Sequence, residues 1–380
     1  MKILVAIDSF KGSLSSVEVS NAIETGIKEA DASIEVIKAP MADGGEGTVE
    51  AIVSSTKGEI IHTKVHDPLG REIDAYYGIL GNGKTAVIEM ALASGITLLK
   101  EEEKNPLITT TYGTGELILD ALNRGCRDFI IGIGGSATND GGSGMAEALG
   151  VKFLDDKKKK IDCCGGDLSN LKSIDISNID KRIKESKFVV ACDVDNPLWG
   201  VNGASYVYGP QKGASDDMVV KLDSALYNYN EIIKKDLGKN VGEVKGSGAA
   251  GGLGAGILAF LDGELKSGIN IVMKKINLEE KIVESDLVIT GEGKIDDQTK
   301  NGKVPYGVAK LSKKYDKKVI VIAGSIEDEG YINHKYGLDA IFSIINYPLS
   351  LKEVLNKEIS KKLVERNSEE IIRLINLFRK

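Results

Sequence analysis

Residues 78–85 read GILGNGKT. The spacing fits G-x-x-x-x-G-K-[ST], in which glycine-rich backbone cradles a nucleotide's phosphates and the lysine reaches the outer ones. A working loop of that kind has a strand before it and a helix after it, because the helix N-terminus supplies the amides. Here EIDAYYGIL precedes and TAVIEMA follows, and both read as strands. Asn82-Gly83 between them is a hairpin-turn pair. No aspartate closes a later apolar strand in the order a second phosphate motif would need. The stretch is therefore read as a β-hairpin with Lys84 exposed in its turn. A P-loop phosphotransferase using Lys84 is the rival reading.

Working outward, residues 59–90 alternate between DPLG and GNG turn signals and predict an antiparallel meander. The first 58 residues read β-α-β-α instead. KILVAID is a continuous apolar run, as in a strand buried on both faces. Ser15 and Glu18 then form a capping box ahead of Val19, Ala22, Ile23 and Ile27 at helical spacing. From about residue 280 a regular β-α-β pattern returns, and two amphipathic helices span roughly 350–380. The expected fold is α/β with two domains. A Rossmann-like parallel-sheet domain is built from 1–58 and 280–380, and an α+β domain of residues 59–279 is inserted into it.

The formal charge is −7, which argues against nucleic acid or an anionic membrane as partner but leaves room for a small anion at a local site. The four cysteines form no C-x-x-C pair and read as reduced thiols. No apolar run reaches 18 residues, and the N-terminal apolar stretch is too short for a signal peptide, so a cytoplasmic protein is expected. A homo-oligomer is compatible with all of this.

Five polar, glycine-rich loops follow apolar strands: DSFKGS (8–13), ADGGEGT (42–48), GGSATNDGG (134–142), CDVDNP (192–197) and TGEGKIDDQTKNGK (290–303). Ligands of open α/β sheets sit at such strand ends. Gly44 and Gly45 let backbone approach a ligand beside Asp43. GGSATNDGG opens a helix, so Gly134, Gly135, Ser136, Thr138, Asn139 and Asp140 are read as a phosphate cradle made of backbone amides. Asp193 and Asp195, two apart, would share a face of a continued strand as a cation-binding pair. Glu292, Lys294, Asp296 and Asp297 crowd a single loop. These parts suit phosphoryl transfer, which needs a positioned hydroxyl, an acceptor for its proton, carboxylate-held Mg²⁺ and cationic or amide donors on the phosphates. GSGAAG at 246–251 fits G-x-G-x-x-G, but the segment before it is too polar for a dinucleotide-binding strand; its amides are kept as a phosphate candidate.

DSFKGSLSS, PMADGGEGTVEA, AVIEMALASG, NPLITTTYGTGELI, GIGGSATNDGGSGMAEALG, VACDVDNPLWG, YGPQKGA, GAAGGLGAG and DLVITGEGKIDDQT together resemble the bacterial glycerate kinases that use neither a P-loop nor a protein-kinase fold. The resemblance runs from residue 8 to about 325. It implies D-glycerate as acceptor, ATP with Mg²⁺ as donor, an active site between two domains, and 2-phosphoglycerate in preference to 3-phosphoglycerate. Individual roles rest on chemistry. Lys11 and Lys294 are candidates for the glycerate carboxylate or a phosphate. Asp43, Asp193 and Asp296 are candidates for magnesium binding and general base, with Asp43 and Asp193 the metal pair. Gly44, Gly45 and Glu292 belong to the binding set.

Overall fold

The computed structural model describes residues 1–300 and 302–378. The chain divides into two compact units: Met1–Asp43 with Glu50–Lys57 and Ile269–Lys380, and Gly44–Val49 with Gly58–Gly268.

The first unit is built on a five-stranded sheet in the order Ala340–Ser343, Lys318–Ala323, Leu287–Gly291, Lys2–Ile7, Glu35–Lys38. All four pairings are parallel. Ile3 to Ile7 are fully buried, as a central strand covered on both faces requires. The helix Ser16–Ala30 starts on the expected capping box: Ser15 Oγ accepts from Glu18 N at 3.3 Å, and Glu18 Oε2 accepts from Ser15 N at 3.0 Å. That helix crosses the long C-terminal helix Lys357–Phe378 closely. A Cβ on Gly26 would stand 2.1 Å from the Glu365 carbonyl oxygen, so only glycine fits there. The unit resumes at Ile269, somewhat before 280, with Ile269 packed beneath Gly307.

The second unit holds a six-stranded sheet in the order Glu264–Lys266, Lys187–Ala191, Asp128–Gly132, Thr85–Glu89, Glu72–Ile79, Glu59–His66. Its last three strands are the expected antiparallel meander. The first four are mutually parallel, which an α+β reading of this region does not contain. The reason is length. Asp128–Gly132 and Lys187–Ala191 are five-residue strands that each open on a charged residue, too short for periodicity to assign, and their partners lie tens of residues away in sequence.

Within the meander, GILGNGKT is a hairpin. Gly78 and Ile79 pair antiparallel with Val87 and Ala86, and Gly83 turns the chain at φ +66°. Asn82 Oδ1 accepts from the amides of Lys84 and Thr85, both at 3.0 Å, and closes the turn. A strand, Thr85–Glu89, follows in place of a helix, so the loop does not open a helix N-terminus and the P-loop rival is excluded.

Candidate active site

In the first unit two strands end side by side on carboxylates. Asp8 follows Lys2–Ile7, and its amide donates to Gly291 O at 3.0 Å, which locks it beside the end of Leu287–Gly291, where Glu292 follows. Both are almost fully buried. Burial pushes the Asp8 carboxyl up to about 7, with Asp43 and Glu292 adding repulsion, against the Ser9 amide and Lys11. Burial likewise pushes Glu292 up to about 7, and Asp296 adds to it. Lys303 and a hydrogen bond from Thr299 Oγ1 at 2.9 Å oppose that rise. Lys303 Nζ lies 3.5 Å from Glu292 and 3.4 Å from Asp296. Lys11 stands 3.8 Å from Asp43 and is mostly exposed. The structure thus brings Lys11, Asp43, Glu292 and Asp296 into one cluster with Asp8, Thr299 and Lys303. Lys294 sits at its edge: it pairs with Glu327 at 2.5 Å and is 3.9 Å from Asp296.

In the second unit three loops meet at the carboxyl ends of parallel strands. The Gly44–Gly45 turn lies against the ends of Asp128–Gly132 and Lys187–Ala191. A Cβ on Gly44 would come 2.5 Å from Ala191 Cβ, and one on Gly132 would come 2.5 Å from Gly44 O. A Cβ on Gly134 would sit 3.5 Å from Gly45 Cα. Glu89, buried at the end of Thr85–Glu89, accepts from Val49 N at 2.8 Å in the first turn of helix Thr48–Thr56, a carboxylate on a helix N-terminus. Asp193 accepts from Gly268 N at 3.2 Å, where helix Gly268–Lys275 begins. Asp195 instead pairs with Lys245 on the exposed surface at 2.9 Å. The strand ends at Ala191, so Asp193 and Asp195 do not act as a shared-face pair.

The 134–142 loop departs from the phosphate cradle expected at its helix end. Asp140 is fully buried and accepts from Thr111 N, Thr111 Oγ1, Gly142 N and Gly144 N at 2.7–3.2 Å. Gly141 N, Ser143 N and Met145 N are also engaged within the protein. The helix that follows, Ser143–Ala148, has only six residues. The anion at this helix end is Asp140 itself, and burial still holds its carboxyl above the usual range. Asn139 Nδ2 donates to Ser205, and Ser136 Oγ and Thr138 O accept from Lys212 Nζ, both at 2.7 Å. Burial lowers the Lys212 ammonium to about 7. Gly251, the last residue of GSGAAG, and Gly252 after it have positive φ and touch this loop: Cβ atoms there would strike Thr138 O at 1.9 Å and Gly141 Cα at 2.8 Å. Those glycines serve backbone packing, which accounts for the motif without a dinucleotide.

Sequence reasoning passed over Asp8, Lys303 and Lys212. The signal for Asp8 was present, an acid closing an apolar strand, whereas nothing local marks Lys303 or Lys212.

Magnesium bound to a nucleotide takes one or two carboxylates, its other positions being filled by phosphates and water. Asp43, partly exposed beside Asp8, fits that demand. Among the described residues no three His, Cys, Asp or Glu side chains group as a metal cage, and no helix is long and apolar enough to cross a membrane.

Residues 3–376 match the family model described as the glycerate kinase family. The chain is 55% identical over 345 residues, 91% of each chain, to the glycerate 2-kinase of Escherichia coli K12. It is 49% identical to the glycerate kinase of Bacillus subtilis 168, covering 99% of this chain and 98% of that one. A crystal structure from Salmonella typhimurium LT2 superposes with a TM-score of 0.91 at 47% identity, over 99% of this chain and 98% of that one. These relatives are kinases, and the α/β architecture here is theirs. The chain belongs to the glycerate kinase family and is an enzyme of that class.

Proposed function

We propose that this enzyme phosphorylates D-glycerate with ATP, forming 2-phosphoglycerate by in-line transfer. The observation that carries the reading is the pair of buried carboxylates at adjoining strand ends, both pushed to about 7 and set among lysines. A general base works best with a pKa near the operating pH. Asp8 is the better base, since Glu292 already accepts from Thr299 and pairs with Lys303. As the glycerate oxygen bonds to the γ-phosphorus, its proton passes to Asp8, the bond to ADP breaks, and ADP departs with the electron pair. Lys11 holds the glycerate carboxylate or a phosphate oxygen. Lys303 keeps Glu292 and Asp296 oriented, and Lys294 serves at the edge of the set. Magnesium, when bound, neutralises charge across the β- and γ-phosphates. Asp43 would hold it, and Asp193 is the second candidate ligand.

In the second unit, the backbone of Gly44, Gly45, Gly134 and Gly135 is assigned to phosphate. Ser136, Asn139 and Asp140 shape the 134–140 loop from within. The discontinuous unit is read as the Rossmann-like domain and residues from about 59 to 279 as the insert. A cytoplasmic location follows from dependence on ATP. The 2-position is favoured by the 55% identical E. coli relative, whose name specifies it. Phosphorus NMR of the product made from D-glycerate and ATP tests the whole reading. A 2-phosphoglycerate resonance is expected. A 3-phosphoglycerate signal would overturn the regiochemistry, and no phosphorylated glycerate would overturn the activity.

A further inference from the structure

A cavity of about 310 Å³ opens in the first unit. Phe10, Gly293, Gly324 and Ile344 line it. Each lies one to three residues past the end of a different strand of the parallel sheet, so four neighbouring strands deliver their carboxyl ends to one hole. In sheets of this kind that edge is where ligands bind. The opposite wall comes from the short helix Leu351–Val354 and the residue after it, through Leu351, Val354 and Leu355. Ser13 and Ser360, hydrogen-bonded to each other at 2.7 Å, add hydroxyls. Among the described lining residues one is charged, Lys11, and none is acidic.

These features choose the occupant. The walls are apolar, and the volume lies at the lower end of the range for small-molecule sites. D-glycerate, polar at every carbon, gains nothing from such walls. A flat heteroaromatic ring buries both faces in them. Lys11 belongs both to this cavity and to the carboxylate cluster, where it stands 3.8 Å from Asp43. Gly293, also in the wall, lies between Glu292 and Lys294 in the chain. A ligand seated here by a neutral ring therefore extends an anionic tail past Lys11 toward the reacting groups.

We propose that this cavity is the purine pocket for the base of the phosphoryl donor. The proposal rests on the ATP-dependent reading above and assigns the base, which that reading leaves unplaced. The short helix Leu351–Val354 is its outer wall, and recognition of the base is by apolar contact.

The test uses the full-length protein with Leu355→Trp, which fills the cavity, and Leu351→Asp, which puts a carboxylate on a side chain that is 74% exposed and can change without loss of the fold. ADP binding is measured by calorimetry with magnesium present, and inhibition by tripolyphosphate, which has the phosphates without the base, is measured beside it. Both variants should weaken ADP about tenfold or more, while tripolyphosphate inhibition and the D-glycerate KM stay within about twofold of the parent. Unchanged ADP binding in both variants overturns the pocket. Equal weakening of ADP and tripolyphosphate overturns the base assignment, as does a rise confined to the glycerate KM. If the parent binds ADP as expected but makes no phosphoglycerate, the proposed reaction fails while the pocket stands.

Discussion

Two turns in this molecule read Gly-x-Gly-Lys: Gly81-Asn82-Gly83-Lys84 and Gly291-Glu292-Gly293-Lys294. Both follow a strand. The first joins antiparallel neighbours, its Asn82 side chain is spent on closing the turn, and all four residues are exposed. The second leaves a strand flanked on both sides by parallel neighbours, so other strand ends crowd it. Glu292 is buried as a result and meets Lys303 and Thr299, while Gly293 O accepts from Ser325 N at 3.0 Å. The same local pattern gives a bare turn in one place and a buried charged cluster in the other. What differs is sheet direction: a parallel sheet gathers the exits of its strands at one edge, whereas a hairpin sends its two strands back to back.

The comparison breaks most sharply at Asp8. Asp8→Asn keeps the shape and removes the proton acceptor, so kcat should fall about 10²–10⁴-fold with little change in the KM for ATP, measured in a coupled ADP-release assay. Retention of near-parent turnover would move the base elsewhere. A smaller effect is expected from Lys303→Ala, on the order of 10–100-fold in kcat/KM, because Glu292 then lies buried without its cation. Lys303 lowers the Glu292 carboxyl, so its loss raises it further, and the pH at which Glu292 titrates, followed by carboxyl-labelled NMR, should move toward alkaline pH. An unmoved titration would separate Lys303 from Glu292.

Stability sharpens the same contrast without any assay of turnover. The Asp8 carboxyl sits at about 7 in the fold, above its ordinary 3.8, so the folded state binds more protons than the unfolded one between those values. Its contribution is full below about pH 4 and is lost as pH rises through 7. Urea melts at pH 6 and pH 8 should therefore show the parent losing about 1 kcal/mol more than Asp8→Asn over that interval. Equal losses in the two proteins would mean that Asp8 does not titrate there. Smallest of all is Lys84→Ala, for which stability should change by less than about 0.5 kcal/mol and turnover hardly at all. A dead Lys84→Ala enzyme would restore the P-loop and reverse the comparison.

How far these two regions can be read from the sequence follows from where their chemistry originates. The hairpin is legible because Asn82-Gly83 and its two flanks lie within a dozen residues. The first strand and its helix are legible for the same reason, with Ser15 and Glu18 three apart. Glu292 and Asp296 are named by their loop. The Asp8 carboxyl is raised only through burial beside residues near 291, which no local pattern encodes. Lys303 belongs to the cluster through Glu292, eleven positions earlier and across a turn. Asp140 misleads in the opposite direction. Its loop has the composition of a ligand loop, yet Thr111 and the amides that follow enclose its carboxylate. Composition says that a loop is polar, and only packing says which way its side chains face.

Pairing between Lys2–Ile7 and Leu287–Gly291 has a consequence for synthesis. Lys2 N donates to Asp286, 284 residues further along, and the first strand pairs with the segment that follows. At roughly 5–20 residues per second a ribosome needs roughly 15–60 s to cover that distance. Gly58–Gly268, a single run with its own core, is complete before then. We predict that nascent chains arrested just after residue 268, once extruded, protect this run from protease while the first 30 residues stay open to cleavage; early protection of those residues would contradict it. Until then Ile3, Leu4, Val5 and Ile7 have Glu35–Lys38 as a strand neighbour and lack Leu287–Gly291. The sheet of the first unit thus closes only after the run Gly58–Gly268 has been made.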